Sequence, residues 1–283
     1  MKTLLFLFAA LPLFAEVATI TVQKDLPYAP SGEDAYQNER CKLDLYLPTG
    51  KDFPTLVWLH GGGLKGGSKD HESNTAIAKA LASDGIAVAM VNYRLSPKAK
   101  YPSYVEDTAN AIAWTITNIS EQGGSPKKIF LGGHSAGGYL ALMVGMDPTW
   151  LKAHKLERSA IAGLIPVSGQ TMTHYTVREE RFGSDNPFII TADDASPVRY
   201  GSLEGIPPTL ILCAENDMAA RVEENLYLAA VLKGAGKTEV KTLVIPDRDH
   251  GSVAFDIAQP NDPARLAIAE FITATLTPKA GEK

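Results

Sequence analysis

Gly133-His134-Ser135-Ala136-Gly137 is the segment whose residue types and spacing carry the most chemistry. A serine hydroxyl is a weak nucleophile at its free pKa and has to be held where a base can reach it. The apolar run 129–131 reads as a strand and 139–142 as the start of a helix, so Ser135 falls on a sharp strand-to-helix turn. Small residues two places before and two places after the serine let neighbouring elements close in, which is the G-x-S-x-G pattern of a nucleophile elbow. Unpaired amides at a helix start attract negative charge, so the Ala136 N–H is expected to donate to an oxyanion forming beside the serine. The chemistry to expect is acyl transfer through a covalent serine intermediate.

An oxyanion needs a second donor from elsewhere. His60-Gly61-Gly62-Gly63 follows the apolar run 55–59 directly, and glycines let the main chain approach a ligand to hydrogen-bonding distance. The glycine-rich run 62–68 lacks the Gly-Lys-Ser/Thr ending of a phosphate loop. His60 is expected to fix the loop by a hydrogen bond rather than to catalyse.

The base and its orienting acid are read from chain order, Ser then Asp or Glu then His in strand–turn–helix hydrolases. Of the six histidines only His154, His174 and His250 follow Ser135, and only His250 follows the last plausible acid-bearing strand. It sits in the polar turn 246–251. Asp217 lies just past the apolar run 209–214, at a strand's carboxyl end, where open α/β sheets bind ligands. There it would orient the imidazole and stabilise its charged form. Glu215 is the alternative acid, whereas Asp247 and Asp249 read as turn formers.

The elements that must position these groups follow from periodicity. Runs 43–47, 55–59, 86–91, 129–131, 163–167, 209–214 and 242–245 read as strands, several of them apolar throughout, as strands buried on both faces must be. Runs 74–83, 105–118, 136–145, 222–232 and 263–276 carry helical periodicity. Strand alternating with helix predicts an α/β fold, a mostly parallel central sheet with helices on both faces. The stretch 168–200 breaks the rhythm and is long enough to be a lid or substrate loop. In it, His174 and Tyr175 are candidate substrate contacts. Asp193-Asp194 has no His or Cys at ligand spacing, so it reads as a turn cap, and neither metal nor cofactor is called for.

The 283 residues suit one large domain, and 45% hydrophobic with 21% charged residues is a globular balance. A net charge of −5 without a basic cluster argues against a nucleic-acid partner. Lys2, the apolar stretch 4–14 and Ala15 look like a signal peptide over 1–15, leaving residues 16–283 as a single domain, exported to the periplasm or the extracellular space without a permanent membrane anchor. Export permits a disulfide, yet Cys213 falls within an apolar strand run and reads, unlike a partner for Cys41, as a buried thiol. Trp58 reads as core, and Arg94 with Asp107 as a structural pair.

In the order His60-Gly61-Gly62-Gly63, Asn92-Tyr93-Arg94-Leu95-Ser96-Pro97, Tyr101-Pro102 and Gly133-His134-Ser135-Ala136-Gly137-Gly138, the chain resembles the α/β-hydrolases related to hormone-sensitive lipase, over about 41–271. Within that group it is similar to bacterial acetyl and feruloyl esterases and to the kynurenine formamidase-like branch, His134 standing where lipase-type members usually carry Asp. The resemblance implies that Gly62 and Gly63 join Ala136 in the oxyanion hole, and it supports Ser135, Asp217 and His250. The expected substrate is a small-molecule or carbohydrate ester with a short acyl group. A peptidase, amidase or arylformamidase on the same fold is the alternative, and a non-catalytic binding protein is the alternative of another class.

Overall fold

The computed structural model describes residues 19–29, 34–183 and 191–278. The expected leader, 1–15, and residues 184–190 of the expected lid lie outside them. Eight strands form one sheet: β1 (Thr21–Pro27), β2 (Lys42–Leu47), β3 (Phe53–Leu59), β4 (Ala87–Val91), β5 (Gly124–His134), β6 (Gly163–Val167), β7 (Thr209–Asn216) and β8 (Val240–Asp249), in the order β1-β2-β4-β3-β5-β6-β7-β8. The first two join antiparallel and the other six run parallel. All seven expected strands are present. The strand not expected, β1, is mostly exposed and is bulged where Asp25 takes a φ of 56°, so no alternation marks it.

The helices are α1 (Ala35–Arg40), α2 (Glu72–Ser83), α3 (Ser103–Asn118), α4 (Ala136–Met146), α5 (Pro148–Lys152), α6 (Tyr175–Phe182), α7 (Arg221–Ala235), α8 (Ser252–Phe255) and α9 (Pro263–Leu276). One face of the sheet is covered by α3, α4 and α7, through Val105, Ile112, Leu140 and Leu228. The other is covered by α2 and α9, through Ile77, Leu81, Ile268 and Phe271. Every residue of α4 is buried, as a helix apolar on all sides must be. Asp262 caps α9 by accepting from the amides of Ala264 and Arg265, with Pro263 in the first turn. Cys41 and Cys213 are both free and buried. Trp58 is fully buried.

This topology decides where chemistry can happen. The carboxyl ends of β3, β5, β6, β7 and β8 lie along one edge of the sheet, and the next residues are His60, Ser135, Ser168, Asp217 and His250. Two strands run further than their apolar cores suggest, β7 to Asn216 and β8 to Asp249. Much of the expected polar turn before His250 is therefore strand. As the sheet edge, β8 accommodates Pro246 and three charged residues that a central strand would reject.

Candidate active site

Ser135 sits at φ 53° and ψ −116° between β5 and α4, a backbone conformation that non-glycine residues hold only when their surroundings enforce it. The enforcement is close packing. A Cβ on Gly133 would stand 2.5 Å from the Leu59 carbonyl oxygen, and one on Gly137 would stand 2.5 Å from the Leu59 carbonyl carbon. Only glycine lets β3 lie this near the turn. The Ser135 N–H donates to the Val167 carbonyl, which pins the turn to β6 as well.

His250 stands opposite. Ser135 Oγ is 2.9 Å from His250 Nε2, and His250 Nδ1 donates to Asp217 Oδ1 at 2.6 Å. Because a carboxylate only accepts, Nδ1 carries the proton and Nε2 is free to take one from the serine. Asp217 Oδ2 accepts from the Ser168 hydroxyl and from the Ala214 N–H at 3.3 Å, and Oδ1 also accepts from the Met218 N–H at 2.8 Å. Burial alone would raise this carboxyl's pKa, but the hydrogen bonds from His250 and Ser168 outweigh it and hold the pKa below its ordinary value. Glu215 is the acid left out: its side chain is exposed and accepts from the Asp247 amide. Asp249 accepts from the amides of Gly251 and Ser252, as a turn former does.

The glycine loop presents its amides by bonding its carbonyls elsewhere. The Gly62 carbonyl accepts from the amides of Lys65 and Gly66, and the Gly61 carbonyl accepts from His60 Nδ1 at 2.7 Å. In a trans peptide the N–H points opposite to the C=O, so the N–H groups of Gly62 and Gly63 face away from those bonds. His60 stacks on Tyr93 at 4.4 Å and meets Arg40 Nη2 through Nε2. A guanidinium only donates, which leaves the proton on Nδ1. Burial and then Arg40 depress the His60 pKa to about 4.

A pocket of about 520 Å³ joins these parts. Gly62, Gly63, Ser135 and His250 line it together with Tyr175, Met218 and Phe255, and Ser68, His71, Ser73 and Asn74 form a polar wall. Tyr175, on the first turn of α6, stands where a Gly63 side chain would project, and the Thr176 hydroxyl donates to the Gly63 carbonyl at 2.6 Å. His174 corrects the expectation of a substrate contact. It is fully buried, its Nδ1 accepts from the Thr176 amide to cap α6, and its ring lies 5.2 Å from that of Tyr139. The turn into α6 aims Tyr175 at the pocket and tucks its neighbour beneath.

The described part of 168–200 is largely packed into the body, with Thr171, Thr173, Thr176 and Ser196 buried. Asp193 accepts from Thr173 Oγ1, the Ala195 amide and Arg181, within a turn. Arg94 grips the buried Asp107 through two nitrogens, away from the pocket. Sequence reasoning missed Ser168, Met218, Phe255 and the polar wall. It saw His134 only as a motif variant, although its place beside Ser135 was a usable signal. Among the described residues no group of His, Cys, Asp or Glu could hold a metal ion, and no helix is long and apolar enough to cross a membrane.

A parallel sheet with a strained serine at a strand–helix turn, and with histidine and carboxylate on later strand ends, is the architecture of an α/β-type hydrolase. The chain belongs to the alpha/beta hydrolase fold family, whose model matches residues 56–254, from β3 to α8. It is similar to the esterase LipQ of Mycobacterium tuberculosis, 27% identical over 252 residues, 83% of this chain and 57% of that protein. It is similar also to the carboxylesterase NlhH of the same organism, 28% identical over 239 residues, 74% of this chain and 69% of that one. The chain spans 57–60% of the length of three such mycobacterial relatives. Among solved structures, a truncated carbohydrate esterase from gut microbiota superposes with a TM-score of 0.75 at 18% identity, covering 92% of this chain and 98% of that one. Esterase B from Lactobacillus rhamnosis gives 0.72 at 20% identity, covering 90% and 86%. At these identities the solved structures share the fold.

Proposed function

We propose that this protein is an exported serine carboxylesterase that hydrolyses short-acyl esters, acetyl groups on carbohydrates among them. The observation that carries the reading is the continuous line from Asp217 through His250 to Ser135, the last two lining a pocket beside Gly62 and Gly63. In the first step Ser135 Oγ attacks the ester carbonyl while His250 Nε2 takes its proton. Asp217 stabilises the imidazolium, and the amides of Gly62, Gly63 and Ala136 hold the oxyanion. The tetrahedral centre collapses, the alcohol leaves with the proton from His250, and Ser135 is left acylated. Water then attacks the acyl-enzyme, gives its proton to His250, and the acid departs as Ser135 recovers its proton.

Several features support the choice of substrate. Tyr175 stands against Gly63 beside the reacting position, which favours a small acyl group. The wall of Ser68, His71, Ser73 and Asn74 offers hydrogen bonds to a hydroxylated alcohol. Relatives named as esterases support the ester class. The test is hydrolysis of p-nitrophenyl acetate through octanoate by the mature protein and by Ser135→Ala. Turnover that is fastest at acetate or butyrate and absent from the variant is expected. No turnover on any ester by folded protein contradicts the reading and moves the search to amides and formamides.

A further inference from the structure

His134 and His250 are joined by a bond that the proton relay does not use. His134 Nε2 lies 2.6 Å from the main-chain carbonyl oxygen of His250. A carbonyl oxygen only accepts, so the imidazole is the donor and its proton sits on Nε2. The rings stand 4.8 Å apart, and the His134 ring meets Phe255 edge-on at 5.8 Å. His134 is the last residue of β5 and is itself buried. His250, by contrast, follows the end of β8, the edge strand, in a turn where Asp249 accepts from the amides of Gly251 and Ser252 and the Gly251 carbonyl accepts from amides of α8.

We infer that His134 is a positioning residue: its Nε2–H clasps the His250 carbonyl and fixes the base-bearing turn to the centre of the sheet. Two consecutive residues thus grip His250 at two points, Ser135 at the imidazole and His134 at the main chain. The arrangement couples the turn after the edge strand to β5, a central strand paired on both sides. A carbonyl held 2.6 Å from a buried ring cannot move without breaking that bond, so the imidazole stays within reach of Ser135 Oγ. The other ring nitrogen, Nδ1, packs against the glycine loop, where a Cβ on Gly61 would stand 3.0 Å from it. Burial, followed by the adjacent His250, depresses the His134 pKa to about 3, which keeps the ring neutral with its one proton on Nε2.

The kinetic arm of the test rests on the esterase reading; a second arm does not. His134→Met fills a similar volume without a donor, and His134→Gln places an amide nitrogen where Nε2 stands. Loss of about an ångström of registration between base and nucleophile lowers kcat by about a hundredfold. The expected result for His134→Met is therefore a kcat loss of that order with KM within about threefold, since the pocket wall is otherwise kept. His134→Gln restores most of it. Independently, proton NMR of the wild type and of Ser135→Ala should show the strongly deshielded proton of the His250–Asp217 hydrogen bond, absent in His134→Met and present in His134→Gln. Should His134→Met fail to fold, His134→Leu is read by the same criteria. A folded His134→Met that keeps both the wild-type kcat and the resonance overturns the clasp, as does a folded His134→Gln as impaired as His134→Met. A wild type inactive on every ester, whose resonance nonetheless follows this pattern, overturns the esterase reading and leaves the clasp standing.

Discussion

In the proposed mechanism Asp217 has to stay ionised although the fold buries its carboxyl group, and the side chain that helps to keep it so is Ser168. Its hydroxyl donates to Oδ2 while His250 takes Oδ1. Hydrogen bonds to a charged group are worth about 1.5–3 kcal/mol, so Ser168→Ala is expected to lower kcat by roughly ten- to a hundredfold, with little change in KM and no loss of fold. Steady-state kinetics alongside a thermal melt would check this, and an unchanged kcat would mean that Asp217 needs no support from β6. That Asp217 and His250 lie together beside Ser135 was legible in the sequence because chain order and strand ends narrow the choice to a few residues. Ser168 was not. A serine after an apolar run has no signature of its own, and its partner lies 49 residues away.

At the scale of elements, the strand–turn–helix around Ser135 depends on backbone from β3 lying against two glycines. Gly137 is the tighter of these. A methyl group there would overlap the Leu59 carbonyl group, which belongs to a central strand and cannot step aside. Overpacking of this kind costs about 1–3 kcal/mol or more, so Gly137→Ala should lower the urea midpoint and also the activity, because relief comes most easily by moving the turn. A variant as stable and as active as the wild type would show that the turn tolerates the extra atom.

The elements that could be read in advance were those whose buried faces are apolar. In α6 the buried residues are Thr176, Val177 and Arg178, which present no hydrophobic period, and so the helix carrying Tyr175 read as loop. Naming both His174 and Tyr175 as substrate contacts had the same origin. Adjacent residues on an unrecognised helix point in different directions, and spacing alone cannot say which one faces the pocket.

The whole molecule buries three histidines in neutral form, and this governs its response to acid. Burial depresses His60 to about 4 and His134 to about 3, and it takes His174 well below the ordinary value, with Arg221 and Arg178 adding to the effect. In the unfolded chain all three titrate near 6.5. Below that pH the unfolded chain binds three protons that the native state refuses, so stability falls as pH falls. Each proton bound only by the unfolded chain steepens that fall by about 1.4 kcal/mol per pH unit. Urea denaturation between pH 7.5 and pH 5 should therefore show a steep, reversible drop in midpoint. A midpoint that stays flat across that range would place these histidines in contact with solvent or with compensating charge.

The central claim is that Ser135 becomes the acyl carrier. Its most direct test is exposure of folded protein to a fluorophosphonate, followed by mass spectrometry of the intact chain and of its peptides. The account predicts a single adduct per chain on Ser135, formed slowly or not at all in His250→Ala and absent in Ser135→Ala. An unlabelled wild type, or an adduct on any other residue, would contradict it.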